Sequence, residues 1–290
     1  MKIALVTCRV LPEADNDADL LLETCLRAGL DARYAAWDDD SVDWAAFDLA
    51  ILRSTWNYHR FESQFRQWIE NARARTRLLN PPDLMLGNIH KSYLLELQGK
   101  GLPVVPTRIV TEPGFTRAVE GWDEVVVKPA VSASSYLTER FVSHDVENGE
   151  RFLLRVLEHG DAMVQPFLKR VANGGEIAVV WIDREITHAV VKQPRFADGH
   201  ESVSTAVQPT AEQTGVVLRV LATLDVAPLY ARIDLMEADD GAWVLSELEL
   251  IEPSLFLVQN PVAAERLVRG ILRMMPEWDS EPSKCPCEDH

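Results

Sequence analysis

The chain has 290 residues, 47% of them apolar, and 29 basic against 45 acidic side chains give a formal charge of −16. That suffices for two or three packed units, and with no stripe of clustered Lys and Arg it argues against a nucleic-acid surface. No apolar run is long enough to span a bilayer and the first residues turn polar too soon for a secretory signal. The expectation is therefore a cytoplasmic monomer or homodimer with small-molecule ligands and no membrane partner.

Apolar, β-branched runs at 3–6, 32–36, 49–52 and 125–127 read as strands. Between the first two, Leu21, Leu22, Cys25 and Leu26 form one stripe of a helix, with Gly29 at its C-terminal end. Phe61, Phe65, Trp68, Ile69 and Ala72 recur at helical spacing and predict a second helix over 61–75. Strand–helix–strand order predicts a parallel sheet in an α/β first domain, broken at Asn80-Pro81-Pro82.

A helix over 90–99 comes next, then short strands near 162–164, 177–182, 186–191, 229–235 and 243–249. Turn signals at 172–175 and 238–241 predict hairpins among them. A last helix is predicted over 262–275. Cys8 and Cys25 sit in apolar contexts and read as small hydrophobes. Cys285, Cys287 and His290 lie in a linker-like tail, which is either unstructured or a soft-metal site.

Two segments carry chemistry. Lys128 ends the run Val125-Val126-Val127 and is followed by small residues at 130–135. An ammonium there either meets a phosphate cradled by nearby backbone N–H groups or reaches out to solvent from a strand end. In the second, Arg232 and Asp234 alternate with apolar neighbours, as do Glu247 and Glu249, so each pair shares one strand face. A hairpin across 239–241 would converge three carboxylates and one guanidinium, either around a magnesium ion or as ion pairs on a solvated face. The phosphate-binding Gly-x-x-x-x-Gly-Lys loop, the Gly-x-Gly-x-x-Gly fingerprint, the Gly-x-Ser-x-Gly elbow and the His-Glu-x-x-His pair are all missing.

The order Lys91, Lys128, Met163-Val164-Gln165-Pro166-Phe167, Asp234 and Glu247-x-Glu249 resembles the ATP-grasp superfamily over residues 1–275. Four segments resemble the cycloserine-biosynthesis cyclo-ligase group more narrowly: Arg53-Ser54-Thr55-Trp56-Asn57-Tyr58, Val105-Pro106-Thr107, Thr187-His188-Ala189-Val190-Val191-Lys192, and 247–255. Glutathione synthetase and ribosomal-protein glutamate ligase are more distant likenesses.

The resemblance implies an α/β ATP-grasp fold, α+β in its nucleotide-binding part. Its units would be an N-terminal domain over 1–85, a central lid subdomain over 86–165, a C-terminal subdomain over 166–275 and a flexible tail over 276–290. It implies that Lys91 and Lys128 hold the α- and β-phosphates of ATP, with Gln165, Pro166, Phe167 and Leu168 as the adenine hinge and Glu176 near the nucleoside. Lys192 and Arg232 would face the γ-phosphate, and Asp234, Glu247 and Glu249 would hold Mg2+, with Mn2+ able to substitute. Arg53, Ser54 and Thr55 would recognise substrate at a parallel strand's C-terminal end, helped by Ser254.

Related sequences carry a Gly-Asp-Phe-Arg-like stretch about ten residues after Lys192, where this chain has Asp198-Gly199-His200-Glu201 instead; Arg195 is the local substitute. The implied activity is an ATP- and Mg-dependent ligase that phosphorylates a carboxylate-like group of a small amino-acid-type substrate. An amine or other nucleophile then attacks, within the same molecule in a cyclo-ligase, under a cover formed by 130–160. The alternatives are a nucleotide-binding regulatory protein without turnover and a small-molecule phosphotransferase.

Overall fold

The first strand, β1 (Lys2–Thr7), is buried on both sides because its alternation is apolar on both. Ile3 and Leu5 enter one core cluster and Ala4 and Val6 another. The computed structural model describes residues 1–133, 136–193 and 202–274. In it β1 is flanked in parallel by β2 (Asp31–Ala36) and β3 (Leu49–Ser54), and β3 pairs in parallel with β4 (Arg77–Leu79). Helix α1 (Ala18–Arg27) covers one face with Leu21 and Cys25, and α2 (Glu62–Arg73) covers the other with Phe65, Trp68, Ile69 and Ala72. Two short helices follow, α3 (Pro82–Asn88) and α4 (Tyr93–Gly99).

An antiparallel four-stranded sheet comes next, ordered β5–β8–β6–β7 in space. Its strands are β5 (Arg108–Val110), β6 (Glu124–Pro129), β7 (Glu139–Val142) and β8 (Ala162–Pro166), with α5 (Phe115–Ala118) and α6 (Val146–Leu157) between them in sequence. Phe115, Phe152, Leu153 and Val156 from the helices pack on Val125, Val127 and Val164.

After one helical turn, α7 (Val171–Gly174), the last sheet has the order β11–β10–β9–β12–β13 and is antiparallel throughout. Its strands are β9 (Glu176–Ile182), β10 (Glu185–Gln193), β11 (Ser202–Val203), β12 (Tyr230–Glu237) and β13 (Trp243–Glu249). Helix α8 (Ala211–Leu221) packs Val216, Val217 and Val220 on one face. On the other face, Ala178, Val180, Ile182 and Val190 share a core with Ile3, Leu5 and the inner side of α9 (Pro261–Arg273). One apolar core thus joins the first and last sheets.

The strands and the three long helices expected from periodicity are present, and several other elements differ from expectation. The helix expected over 90–99 starts at Tyr93, and α3 precedes it. Pro82, taken as a break, opens α3 instead, because a first-turn residue needs no N–H partner. The turn signal at 172–175 is a helical turn closed by Gly175 at φ 73°. The strand β4 and the amphipathic helices α6 and α8 were not expected. The tail with Cys285, Cys287 and His290, and Arg195 with the segment 198–200, lie outside the described residues.

Side chains from the first hundred residues tie down the last sheet. Asn80 donates to the carbonyls of Tyr230 and Leu250, both at 2.8 Å, and accepts from the Leu229 N–H at 2.7 Å. Asn88 brackets the outer edge of β13, donating to Leu248 O at 2.8 Å and accepting from Leu250 N–H at 2.9 Å. The Tyr93 hydroxyl both donates to and accepts from the Leu248 backbone at 3.0 Å. An edge strand's unpaired backbone groups are thereby satisfied.

Candidate active site

A cavity of about 520 Å³ opens where the two antiparallel sheets face each other. Strand alternation decides what enters it. On β6, Val125 and Val127 are fully buried in the core, so Val126 and Lys128 point the other way and line the cavity. On β13, Leu248 is core while Glu247 and Glu249 line the cavity. The antiparallel register sets Arg232 opposite Glu249 and Asp234 opposite Glu247.

The four cations are held differently. Lys91, just before α4, donates to Glu247 Oε1 at 2.8 Å and to Ser132 O at 2.9 Å. Lys192 on β10 reaches Asp234 Oδ2 at 2.6 Å and Glu176 Oε2 at 2.9 Å. Arg232 forks onto Asp234, with Nε–Oδ1 and Nη2–Oδ2 both at 2.9 Å, and also pairs with Glu249. Lys128 is half-buried and its pKa is lowered, by burial first and then by Lys91 and Lys192 against the pull of Glu247. Burial and Arg232 push the Lys192 ammonium down, yet Asp234, Glu176 and Glu249 together hold its pKa above the ordinary value.

The carboxylates diverge in the same field. Burial raises all of them, but Lys91 and Lys128 bring Glu247 down to about 2. Arg232 and Lys192 hold Asp234 below the usual range. Glu249 is pushed up to about 8, by burial and by Asp234 and Glu247, more than Arg232 can offset. Glu252 rises to about 7, again through burial first.

The cavity wall includes Lys91, Lys128, Gln165, Pro166, Phe167, Leu168, Glu176, Lys192, Arg232, Glu247, Glu249 and Ser254 from the expected set. Asp234 lies directly beneath it, 1% exposed. Gln165 turns its amide to Thr107 Oγ1 at 2.9 Å. Glu176, expected near the nucleoside, contacts Lys192 and the Ser246 hydroxyl. Among the described residues no three acidic, histidine or cysteine side chains already form a group able to hold a metal ion. Each carboxylate of the expected metal set is turned to a cation of the protein instead.

Arg53, Ser54 and Thr55 differ most from expectation, because they do not line the cavity. Arg53 is 3% exposed and donates to Leu52 O at 3.1 Å and Pro253 O at 2.7 Å. Ser54 donates to Thr7 Oγ1 at 3.0 Å, and Thr55 is fully buried. The end of β3 is covered by the segment after β13, which takes the place a ligand has in an open α/β sheet. From this motif Trp56 and Tyr58 reach the cavity wall, joined by Glu13, Asn88, Tyr93 and Glu252, none of which had been singled out. The aromatic positions following Thr55 and the acid in Ile251-Glu252-Pro253 were the available signals.

Residues 3–80 match the family model of the N-terminal domain of D-cycloserine synthetase DcsG. The whole chain is 31% identical over 291 residues to the cycloserine biosynthesis protein DcsG of Streptomyces lavendulae, covering 93% of this chain and 97% of that protein. The chain belongs to the D-cycloserine synthetase family. The crystal structure of D-cycloserine synthetase DcsG superposes with a TM-score of 0.87 at 30% identity, over 94% of this chain and 99% of that one. The ATP-grasp ligase PsnB, in a complex with a minimal-precursor variant, Mg and ADP, is similar at a TM-score of 0.61 and 18% identity, over 93% and 97% of the two chains. The fold is ATP-grasp, and the protein is an ATP-dependent ligase, as its D-cycloserine synthetase relatives imply. Among the described residues no helix is long and apolar enough to cross a membrane.

Proposed function

We propose that this D-cycloserine synthetase relative activates a carboxylate-like group of a small amino-acid-type substrate by phosphorylation from ATP, and that a nucleophile of the same molecule then closes a ring. The observation that carries the reading is the set of four cations, Lys91, Lys128, Lys192 and Arg232, turned into one cavity against carboxylates of the β12–β13 hairpin. A chain of net charge −16 has no general reason to collect cations there. Polyanionic phosphate supplies one.

The donor set fits a magnesium ion. Glu247 and Glu249 present hard carboxylate oxygens at the cavity wall, with Asp234 beneath. The high pKa of Glu249 marks anionic charge that Arg232 alone does not neutralise. Bound there, the ion would supply positive charge against the phosphates. Glu247 and Glu249 would exchange Lys91 and Arg232 for it, freeing both cations to face phosphate.

The chain's own residues then have separable tasks. Lys91 and Lys128 hold the non-transferred phosphates, and the backbone of 165–168 contacts the base. Lys192 and Arg232 counter the charge that develops on the transferred phosphoryl group. Ser254, whose carbonyl accepts from Arg232 at 3.4 Å, places that guanidinium beside the substrate end. Ser132, whose carbonyl accepts from Lys91 at 2.9 Å, lines the same end of the cavity.

The test is a screen of amino acids and O-substituted serines for ADP formation with Mg2+. ADP release that depends on the amino-acid substrate, with a cyclised product, supports the proposal. Tight ATP binding without ADP release overturns it, and a stable phosphorylated product would make the protein a phosphotransferase.

A further inference from the structure

Glu252 is an acidic side chain of the cavity wall to which neither the phosphates nor the metal gives a role. Glu252 follows β13 in the segment Leu250-Ile251-Glu252-Pro253, lines the cavity, and is 8% exposed. The positive groups that influence it, Lys91 and Arg232, are engaged with Glu247 and Ser132 and with Asp234 and Glu249. Among the described residues no cationic side chain forms an ion pair with its carboxylate, although its own backbone N–H lies within hydrogen-bonding reach. Burying a carboxylate this way is unfavourable unless a cation or donor from outside completes it.

The surrounding turn is rigidly held. Trp56 Nε1 donates to Glu252 O at 3.0 Å, Arg53 Nη2 to Pro253 O at 2.7 Å, and the Tyr230 hydroxyl to Ile251 O at 2.8 Å. Three side chains therefore fix the backbone on both sides of one carboxylate, the preorganisation expected of a recognition group. A lone carboxylate has too few oxygens for a second metal site.

We propose that Glu252 receives the ammonium group of the substrate and so determines its class: an α-amino acid rather than a simple or hydroxy acid. This rests on the ligase reading above. The ammonium would be anchored at the Trp56–Glu252 wall while the group to be activated faces Lys192 and Arg232. The motif around Arg53 then contributes to recognition as positioning residues, through the turn that carries Glu252.

The test uses the full chain, wild type and Glu252→Gln, saturated with Mg–AMPPNP. Calorimetry measures the binding of D- and L-serine and their O-carbamoyl derivatives, each beside its des-amino counterpart, such as 3-carbamoyloxypropanoate. The expected result is that at least one amino compound binds wild type about 10- to 100-fold more tightly than its des-amino partner, the range of a charge-assisted contact. Glu252→Gln should lose that preference while its Mg–AMPPNP affinity stays close to wild type, which also reports an intact fold. Equal preference in both proteins overturns the proposal, as does wild type binding nucleotide but discriminating no pair. Failure of both proteins to bind Mg–AMPPNP would instead sink the nucleotide site, and this proposal with it.

Discussion

Arg53 donates to the carbonyl of Pro253 at 2.7 Å, across 200 residues of sequence. Its guanidinium also lies over the Tyr230 ring, 5.1 Å from the centroid. The contact fastens the end of a parallel strand to the loop that follows the β12–β13 hairpin. Arg53→Ala should cost about 2 kcal/mol in urea unfolding, since it strands a buried carbonyl and removes packing. A variant of unchanged stability with only a raised substrate KM would return Arg53 to direct substrate contact.

Asn80 offers a second, independent check on how the sheets are joined. Its amide satisfies two carbonyls and one N–H of the last sheet and its extension. Asn80→Ala should destabilise by about 2–4 kcal/mol, because three buried backbone groups lose their partner at once. Chemical denaturation reads this directly, and a loss under about 1 kcal/mol would show the bonds to be dispensable.

Lys128→Ala and Glu247→Gln address the phosphate and metal ends of the cavity. Each should lower kcat by at least about 100-fold while circular dichroism still reports the native fold, and Glu247→Gln should in addition lose stability at neutral pH because it leaves Lys91 without its carboxylate. Near-normal ADP formation by either variant would mean that the cavity is not the nucleotide site.

Glu252 makes stability depend on pH in a defined direction. Its folded pKa of about 7 exceeds the ordinary 4.5, so between these values the folded protein keeps a proton that the unfolded chain has lost. The contribution is fully present below 4.5 and is lost as pH rises toward 7. Glu252→Gln should therefore gain stability relative to wild type as pH increases from about 5 to about 7.5. Glu247, brought down to about 2, acts oppositely, and its contribution is lost as pH falls below 4.5. Unfolding curves for wild type and variant at several pH values decide the matter, and parallel profiles would contradict it.

Much of this was legible in the residues. Period-2 alternation put Arg232 and Asp234 on one strand face, and likewise Glu247 and Glu249, because strand faces follow from sequence parity; the register that sets Arg232 opposite Glu249 and Asp234 opposite Glu247 is seen only in the structure. Lys128 stood out because an ammonium beside valines is costly and so conspicuous, whereas Lys91 and Lys192 were read only through the family resemblance. What parity could not show is which groups a distant loop covers. Arg53, Ser54 and Thr55 stand where open α/β sheets receive ligands, but the segment after β13 folds over them. Trp56 and Glu252 enter the cavity only because two segments about 200 residues apart meet. The helices α6 and α8 went unread although Phe152, Leu153 and Val156 in one, and Val216, Val217 and Val220 in the other, recur at helical spacing.

Gly175 tests the coupling of backbone and site. At φ 73° an added Cβ would stand 2.6 Å from the Lys192 carbonyl. Gly175→Ala should destabilise by about 1–3 kcal/mol. It should also lower kcat by shifting β10 at Lys192, and unaltered activity would show that the strand tolerates the displacement.

The chain order of the cavity has a consequence for biosynthesis. Lys91, Lys128, Lys192 and Arg232 all precede Asp234, Glu247 and Glu249, and the tethers Arg53, Asn80, Asn88 and Tyr93 precede the backbone they hold. A polypeptide leaving the ribosome therefore carries these cations first and, apart from Glu176 beside Lys192, remains without their acidic counterparts Asp234, Glu247 and Glu249 until its final portion emerges. Translation halted before Trp243 would yield a species with an uncapped β12 edge and dangling amide tethers, a natural target for chaperones and proteases rather than a partly active enzyme.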